Sequence, residues 1–111
     1  MKRIDAFIQP HRLTKVVSAL HALPRFPGFT IFDAHGQGHG RGAGGHYAYG
    51  EGHGLLYHAR SVVVLFCEDA EVDGITEAIR NAARTGNSGD GIVVVSEIAG
   101  LIHVRGSAGG A

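Results

Sequence analysis

Residues 61–67 read "SVVVLFC", in which six of seven residues are apolar and three successive positions are valine. β-Branched side chains favour extended backbone, and such a run is typical of a strand in the centre of a sheet. The run is far shorter than the roughly 20 apolar residues that a membrane-spanning helix needs. It therefore predicts a buried central strand.

The residues after this strand predict a helix and another strand. Asp69 is a suitable N-cap, and the helix face extends to Arg84 through apolar residues at helical spacing: Val72, Ile75, Ile79 and Ala82. Gly86 suits the left-handed residue that follows a helix. The run "GIVVVSEI" (91–98) predicts the last long strand, and "LIHVRG" (101–106) a short final extension.

The first half of the chain repeats this order. Residues 3–9 alternate between an apolar face and a face with Asp5, Phe7 and Gln9, which is the period of a half-buried strand. Pro10 ends it. The next segment, "HRLTKVVSALHAL", carries one apolar stripe and is stopped by two prolines, so it predicts a helix. The run "GFTIFDAH" (28–35) predicts the second strand.

The whole pattern predicts a ferredoxin-like α+β sandwich of order βαββαβ, one domain over residues 1–111. Two helices would cover one face of a four-stranded antiparallel sheet. The other face, with Phe7 and alternate residues of "SVVVLFC", would remain apolar and open. Exposed apolar sheet favours association, so we expect an oligomer.

Composition excludes several classes of protein. Ten basic and ten acidic residues cancel, which leaves no basic footprint for nucleic acid. Nothing indicates a polybasic membrane anchor, and the first residues lack the apolar core of a signal peptide. The single cysteine, Cys67, cannot form an internal disulfide and fits a reducing compartment. We therefore expect a cytoplasmic protein that does not insert into membranes.

Between the two halves lies "GQGHGRGAGGHYAYGEGHG" (36–54), in which nine of nineteen residues are glycine and three are histidine. Three interpretations compete: a disordered tether, a metal-binding segment, and a mobile loop that a ligand orders. Abundant glycine disfavours a rigid platform. We favour a mobile effector loop over residues 36–59, with a flexible tail at 106–111.

Three motifs resemble one known family. They are "KRIDAFIQPHRL" at the start, "TGNSGDG" at 85–91, and "IHVRG" near the end. The chain resembles the PII family of nitrogen-regulatory signal-transduction proteins, whose members carry K-x-I-x-A-I-I-K-P-x-K-L, T-G-x-x-G-D-G-K and R-x-R-T-G-E with similar spacing. The resemblance runs from Met1 to about Gly106.

The resemblance implies a homotrimer with adenine-nucleotide sites in the clefts between subunits. It also implies a long T-loop between the second and third strands, here residues 36–59. ATP or ADP, often with Mg²⁺ and 2-oxoglutarate, would set the loop's conformation, and the loop would dock on a membrane transporter or an enzyme. It implies a regulator and not an enzyme.

The resemblance also implies which residues bind the nucleotide. Glycines would let backbone N–H groups approach the phosphates, Thr30 would contact adenine, and cations would bind the phosphates. Arg60 stands where the family has a lysine, and Arg105 matches the second arginine of R-x-R. The full set is Thr30, Gly36, Gly38, Arg60, Gly89, Asp90, Gly91, His103 and Arg105.

Several positions depart from the family pattern. The lysine after G-D-G is Ile92, and the first arginine of R-x-R is His103. The arginine and glutamine after the second entrance glycine are His39 and Gly40, which puts Mg²⁺ and 2-oxoglutarate binding in doubt. The site of uridylylation aligns with Gly52 or His53, not with a tyrosine. We therefore expect ADP or AMP to be preferred over Mg²⁺-ATP.

The histidines of the loop support an alternative. Imidazole suits Zn²⁺, Cu²⁺ and Ni²⁺, and five histidines fall within 24 residues: His35, His39, His46, His53 and His58. Divergent PII-like proteins that lack the lysine are associated with heavy-metal efflux. A metal-responsive protein of that kind is the second hypothesis, against a solvated polar loop. An enzyme is the weakest, since no paired carboxylates or serine–histidine–acid spacing stands out.

Overall fold

A computed structural model of the chain describes residues 1–37 and 58–106. It contains two α-helices and a four-stranded antiparallel sheet, as predicted. In chain order the elements are β1 (Lys2–Ile8), α1 (Leu13–His21), β2 (Thr30–Gly36), β3 (His58–Cys67), α2 (Val72–Ala83) and β4 (Gly91–Glu97). Within the described ranges, neither helix has the length and apolar character that crossing a membrane would require.

The strands lie in the order β2-β3-β1-β4. β1 pairs antiparallel with both β3 and β4, so the valine-rich strand and β1 form the centre of the sheet. This is the order of a ferredoxin-like fold, and it confirms the predicted architecture. Each helix connects a central strand to an edge strand and packs on the same side of the sheet.

The covered face of the sheet carries the core. Alternate residues of β1 and β3 meet the apolar stripes of the two helices, and the cluster comprises Ile4, Ala6, Ile8, Val16, Leu20, Val63, Leu65, Cys67, Ile75, Ile79 and Ala83. Each buried aliphatic side chain of valine size or larger stabilises the fold by about 1.5–3 kcal/mol relative to exposure. The period-two and period-3.6 patterns of the sequence therefore account for this side of the molecule.

The uncovered face is also apolar. Phe32 is 48% exposed, Phe66 41% and Ile92 61%, although Val62 at the centre of this face is fully buried by its neighbours. The register places Phe7 between Val62 and Ile92, as the sequence predicted for this face.

The start of α2 differs from the prediction. Asp69 is not the N-cap: a 3₁₀ turn, Asp69–Glu71, precedes the helix, and Glu68 stands before that turn. The Glu71 carboxylate accepts a hydrogen bond from the Glu68 N–H at 3.0 Å. The Asp69 carboxylate instead lies 2.9 Å from the Met1 amino group, which lowers the pKa of Asp69. Glu68 and Glu71 therefore supply the local cap, and Asp69 forms a long-range ion pair instead.

Two segments after α2 test further predictions: the turn that contains Gly86, and the extension at 101–106. α2 ends at Ala83 and Gly86 has φ of 90°, which confirms a left-handed glycine beyond the helix. Residues 101–106 form no strand pairing with described residues and end in a turn, where the Gly106 N–H donates to the His103 carbonyl at 2.8 Å. The final extension is therefore not part of the sheet.

Candidate functional site

β2 and β3 continue as a two-stranded ribbon beyond the rest of the sheet. β1 ends at Ile8 opposite Ser61, whereas β2 and β3 remain paired as far as Gly36 and His58. Arg60 lies at the base of this ribbon, opposite Ala34. Gly38 and most of the predicted T-loop, residues 38–57, lie outside the described residues.

The loop 85–91 lies beside this ribbon and is organised by one carboxylate. Asp90 accepts hydrogen bonds from the Thr85 hydroxyl, from the Thr85 N–H at 2.8 Å and from the Gly86 N–H at 3.0 Å. These bonds, the hydroxyl first, hold the pKa of the Asp90 carboxyl below its ordinary value. Both oxygens accept hydrogen bonds within the loop, so the Asp90 carboxylate maintains the shape of the loop.

The two glycines flanking Asp90 are required for different reasons. Gly89 and Gly91 have φ of 85° and 120°, a region that side chains rarely adopt. A Cβ on Gly91 would lie 2.0 Å from the Phe7 carbonyl oxygen, whereas one on Gly89 would meet, among the described residues, only an Arg60 nitrogen at 3.9 Å. Gly91 is therefore needed for contact with β1, and Gly89 for its backbone conformation.

Two side chains tie the Gly89 carbonyl to the sheet. Gln9 Nε2 donates to it at 3.0 Å, and Arg60 Nη2 at 3.4 Å. Arg60 also donates to the Ala59 carbonyl at 2.9 Å, so its guanidinium bridges the ribbon and the loop. The sequence predicted Arg60 as a site cation, but Gln9 was missed; its position at the end of β1 was the available signal.

Arg12 is a second residue that the sequence analysis missed. Its Nε and Nη2 donate to the Ala82 carbonyl at 3.0 and 2.8 Å, which satisfies a free carbonyl at the end of α2. Its charge also contributes to the lowered pKa of Asp90. Arg12 therefore holds the end of α2 and the start of the 85–91 loop in place.

A different part of the predicted site lines a cavity of about 560 Å³ where β2 begins and β3 ends. Thr30 and His103 lie in its wall with Phe29 and Val64, and Arg25 adds a cation that the sequence analysis did not select. Arg25 Nη1 lies 3.8 Å from a Glu71 oxygen.

The structure thus divides the predicted binding residues into two groups. The first group lies near the Ile8 end of β1 and comprises Gly36, Arg60, Gly89, Asp90 and Gly91. The second comprises Thr30 and His103, with Arg105 exposed two residues farther along. Since the second cavity also touches Met1 and Glu68, the groups lie toward opposite ends of the sheet. One chain does not bring them together.

The predicted metal ligands are only partly described. His35 pairs with Ala59 and His58 with Gly36, so the two histidines lie on opposite faces of the ribbon. His39, His46 and His53 lie outside the described residues. Across 1–37 and 58–106, no three histidine, cysteine or acidic side chains are grouped to hold a metal ion.

Comparison with known proteins identifies the family. The model of the family "Nitrogen regulatory protein P-II" matches residues 1–108. Proteins named nitrogen regulatory protein P-II are 34% identical in Rhizobium meliloti (strain 1021) and 37% identical in Rhodospirillum rubrum; each comparison covers 95% of this chain and 92% of the relative. The chain therefore belongs to the nitrogen regulatory protein P-II family.

Membership defines the broad role of the protein. The family and these relatives are named for regulation and not for a catalysed reaction. The chain is thus a signal-transduction regulator and not an enzyme, which confirms both predictions. Cys67 is 4% exposed, and burial, followed by nearby carboxylates, raises the pKa of its thiol, so this side chain belongs to the core.

Proposed function

We propose that the protein is a homotrimer that binds adenine nucleotides in clefts between subunits and controls a transporter or enzyme through residues 36–59. The main support is the division of the predicted binding residues into two groups at opposite ends of one chain. A cleft that joins the first group of one subunit to the second group of its neighbour would contain both.

The first group suits the phosphates. Asp90 and Gln9 maintain the shape of the loop around Gly89, and among the described residues a Cβ on Gly89 would approach only the Arg60 guanidinium. Arg60 supplies the cation. Its bond to the Gly89 carbonyl is long, at 3.4 Å, and a phosphate oxygen would be a stronger acceptor for the same guanidinium.

The second group suits the nucleoside. The cavity holds about 560 Å³, within the range for small-molecule sites, and combines apolar walls with a few polar groups. Phe29 and Val64 offer surface for a purine, and the Thr30 hydroxyl can accept or donate a hydrogen bond. Arg25 and His103 line the same cavity and add a guanidinium and an imidazole to it.

The uncovered sheet face supports assembly. Phe32 and Phe66 are about half exposed in a single chain, and burial of this face against other copies would remove that apolar surface from water. Contacts that join one end of a subunit to the other end of its neighbour are head-to-tail, and such contacts form closed rings when the rotation permits.

The preferred ligand would carry fewer phosphates than Mg²⁺-ATP. Ile92 stands where the family motif has lysine, directly after the 85–91 loop, and is 61% exposed. An apolar side chain therefore occupies the place of a cation. His103 replaces a permanent charge with a titratable one. We therefore expect ADP or AMP to be preferred over Mg²⁺-ATP.

Calorimetric titration with ATP, ADP and AMP, each with and without Mg²⁺, tests this function. We expect one site per subunit, with little gain from Mg²⁺. Arg60→Ala should weaken binding about tenfold or more, as loss of a charge-assisted hydrogen bond does. Lys15→Ala removes the same charge from the exposed side of α1 and is the matched control. Absence of binding to all three nucleotides would refute the proposal.

A further inference from the structure

A second cleft lies at the edge of the sheet, between the end of α2 and the start of β4. It has a volume of about 270 Å³. Its lining combines apolar residues (Ile8, Ala83, Ile92 and Val93) with two arginines, Arg80 and Arg84. A site with an apolar lining and two guanidinium groups is suited to a small anion that carries a carbon skeleton.

The positive charge of this cleft is poorly neutralised. Among the described residues, the Arg84 guanidinium has no hydrogen bond or ion pair, and Arg80 has only Glu77, with 4.0 Å between the charged atoms. Asp90 is the acidic group in the lining, but its two oxygens already accept bonds from Thr85 and Gly86. An incoming anion would thus meet one uncommitted arginine and one weakly paired arginine.

Stabilisation of α2 does not account for these cations. Cations near a helix C-terminus commonly interact with its last carbonyl groups. Here Arg12, which lies immediately before α1, donates twice to the Ala82 carbonyl, and the Arg84 N–H donates to the Arg80 carbonyl. The Arg84 side chain is left to face the cleft.

The cleft shares Asp90 and Gly91 with the proposed nucleotide site, but its arginines lie on the other side of the sheet from Arg60. Ile8, Gly91 and Val93 belong to the covered face of the sheet, because Gly91 is opposite Ile8 and Val93 is opposite the buried Ala6. Ser61 is opposite Ile8 and so belongs to the covered face. Arg60 is the adjacent residue of β3 and therefore belongs to the uncovered face. The two sites therefore contact the 85–91 loop from opposite sides of the sheet.

We infer that this cleft binds a small phosphate monoester through Arg80 and Arg84. A phosphate dianion can accept bidentate hydrogen bonds from each guanidinium, which a single carboxylate does less completely. The small volume limits the organic part to a few carbon atoms or one ring, which would lie over Ile8 and Val93. Because Asp90 and Gly91 form one wall, a bound ester would restrain the loop of the proposed nucleotide site from behind.

Phenyl phosphate is a suitable probe, and amide chemical shifts in two-dimensional NMR of the full chain report where it binds. We expect saturable shifts at residues 83–93 that are smaller with inorganic phosphate, which lacks the ring. Arg84→Gln should weaken binding about tenfold. Lys15→Gln, which removes an equal charge near the start of α1 but does not line the cleft, should change it less than about twofold.

Three results would overturn the inference. Chemical-shift changes that increase linearly without saturating would indicate no specific site. Equal weakening of binding by Arg84→Gln and Lys15→Gln would indicate only general electrostatic attraction of the anion. Shifts centred on Gly36 and Arg60, abolished by Arg60→Ala, would place the probe in the nucleotide site and so support that proposal instead. An unchanged urea midpoint for Arg84→Gln, an exposed position, verifies that the variant is folded.

Discussion

Both faces of the sheet are apolar, but in a single chain the helices cover one face and leave the other exposed. On the covered face Leu65 is 1% exposed beneath the helices, whereas Phe66, the next residue, is 41% exposed on the other face. Alternate residues of one strand therefore serve different purposes. The covered face holds the chain folded, and the uncovered face is available for assembly, which the proposed inter-subunit site requires.

The largest effect should come from the close contact at the start of β4, on the covered face. Gly91→Ala would place a methyl group 2.0 Å from the Phe7 carbonyl oxygen, in the backbone of the central strand. We expect a loss of at least about 4 kcal/mol, the size associated with severe steric conflict. Gly86→Ala is the control: φ is also positive, but no atom of ranges 1–37 and 58–106 lies within 4 Å of the added Cβ, so a loss of about 1–2 kcal/mol is expected. Equal urea-unfolding curves would contradict this account.

The neighbouring pair Leu65 and Phe66 tests the comparison directly. Leu65→Ala should lower the free energy of unfolding by about 2–5 kcal/mol, because it leaves a cavity in the core. Phe66→Lys should leave the circular dichroism spectrum intact but reduce the mass measured by analytical ultracentrifugation. A Phe66→Lys protein of unchanged mass would show that this part of the uncovered face is not an interface.

The sequence predicts the covered face well because its periodicity reports burial. Both helices and all four strands were found from their apolar patterns, with boundaries shifted by a few residues, and Gly86 from the left-handed residue that usually follows a helix. Asp69 was misassigned because a sequence shows the local capping pattern but not the Met1 amino group that pairs with that carboxylate. Residues 101–106, predicted as a short final extension, form no strand pairing with the described residues.

The candidate site was predictable only in part. Resemblance to the family identified Arg60 and the loop glycines, but not that Gly91 is needed for contact with β1 or that Asp90 serves the loop itself. Gln9 and Arg12 were missed because each acts on a backbone carbonyl distant in sequence. Only the register shows that the binding residues fall into two separated groups.

A smaller effect is expected from the carboxylate that organises the 85–91 loop. The native pKa of Asp90 is lowered, so its contribution to stability is present above the unfolded pKa of about 3.9 and is lost as pH falls through the native pKa. Asp90→Asn should therefore be less stable near neutrality and lose less stability on acidification. Urea midpoints between about pH 6 and pH 2.5 measure this. Parallel curves for the two proteins would contradict the role assigned to Asp90.

The smallest effect concerns Cys67 on the covered face. Burial raises the pKa of its thiol, so the folded protein should react slowly with a disulfide reagent at neutral pH. Denaturant should restore the rate of a free thiol. Leu65→Ala, which loosens the same core, should react faster than Phe66→Lys. Rapid modification of the native protein would show that the covered face opens readily.

Subunit complementation tests the central claim, that the nucleotide site lies between subunits. Arg60→Glu damages the first group and His103→Glu the second, so neither variant alone should bind nucleotide. If each cleft combines two subunits, random trimers from an equal, co-refolded mixture should recover roughly one quarter of the wild-type sites, since both halves of a cleft must be intact. Calorimetric stoichiometry measures this fraction. A mixture that binds no more nucleotide than its parents would contradict a shared site.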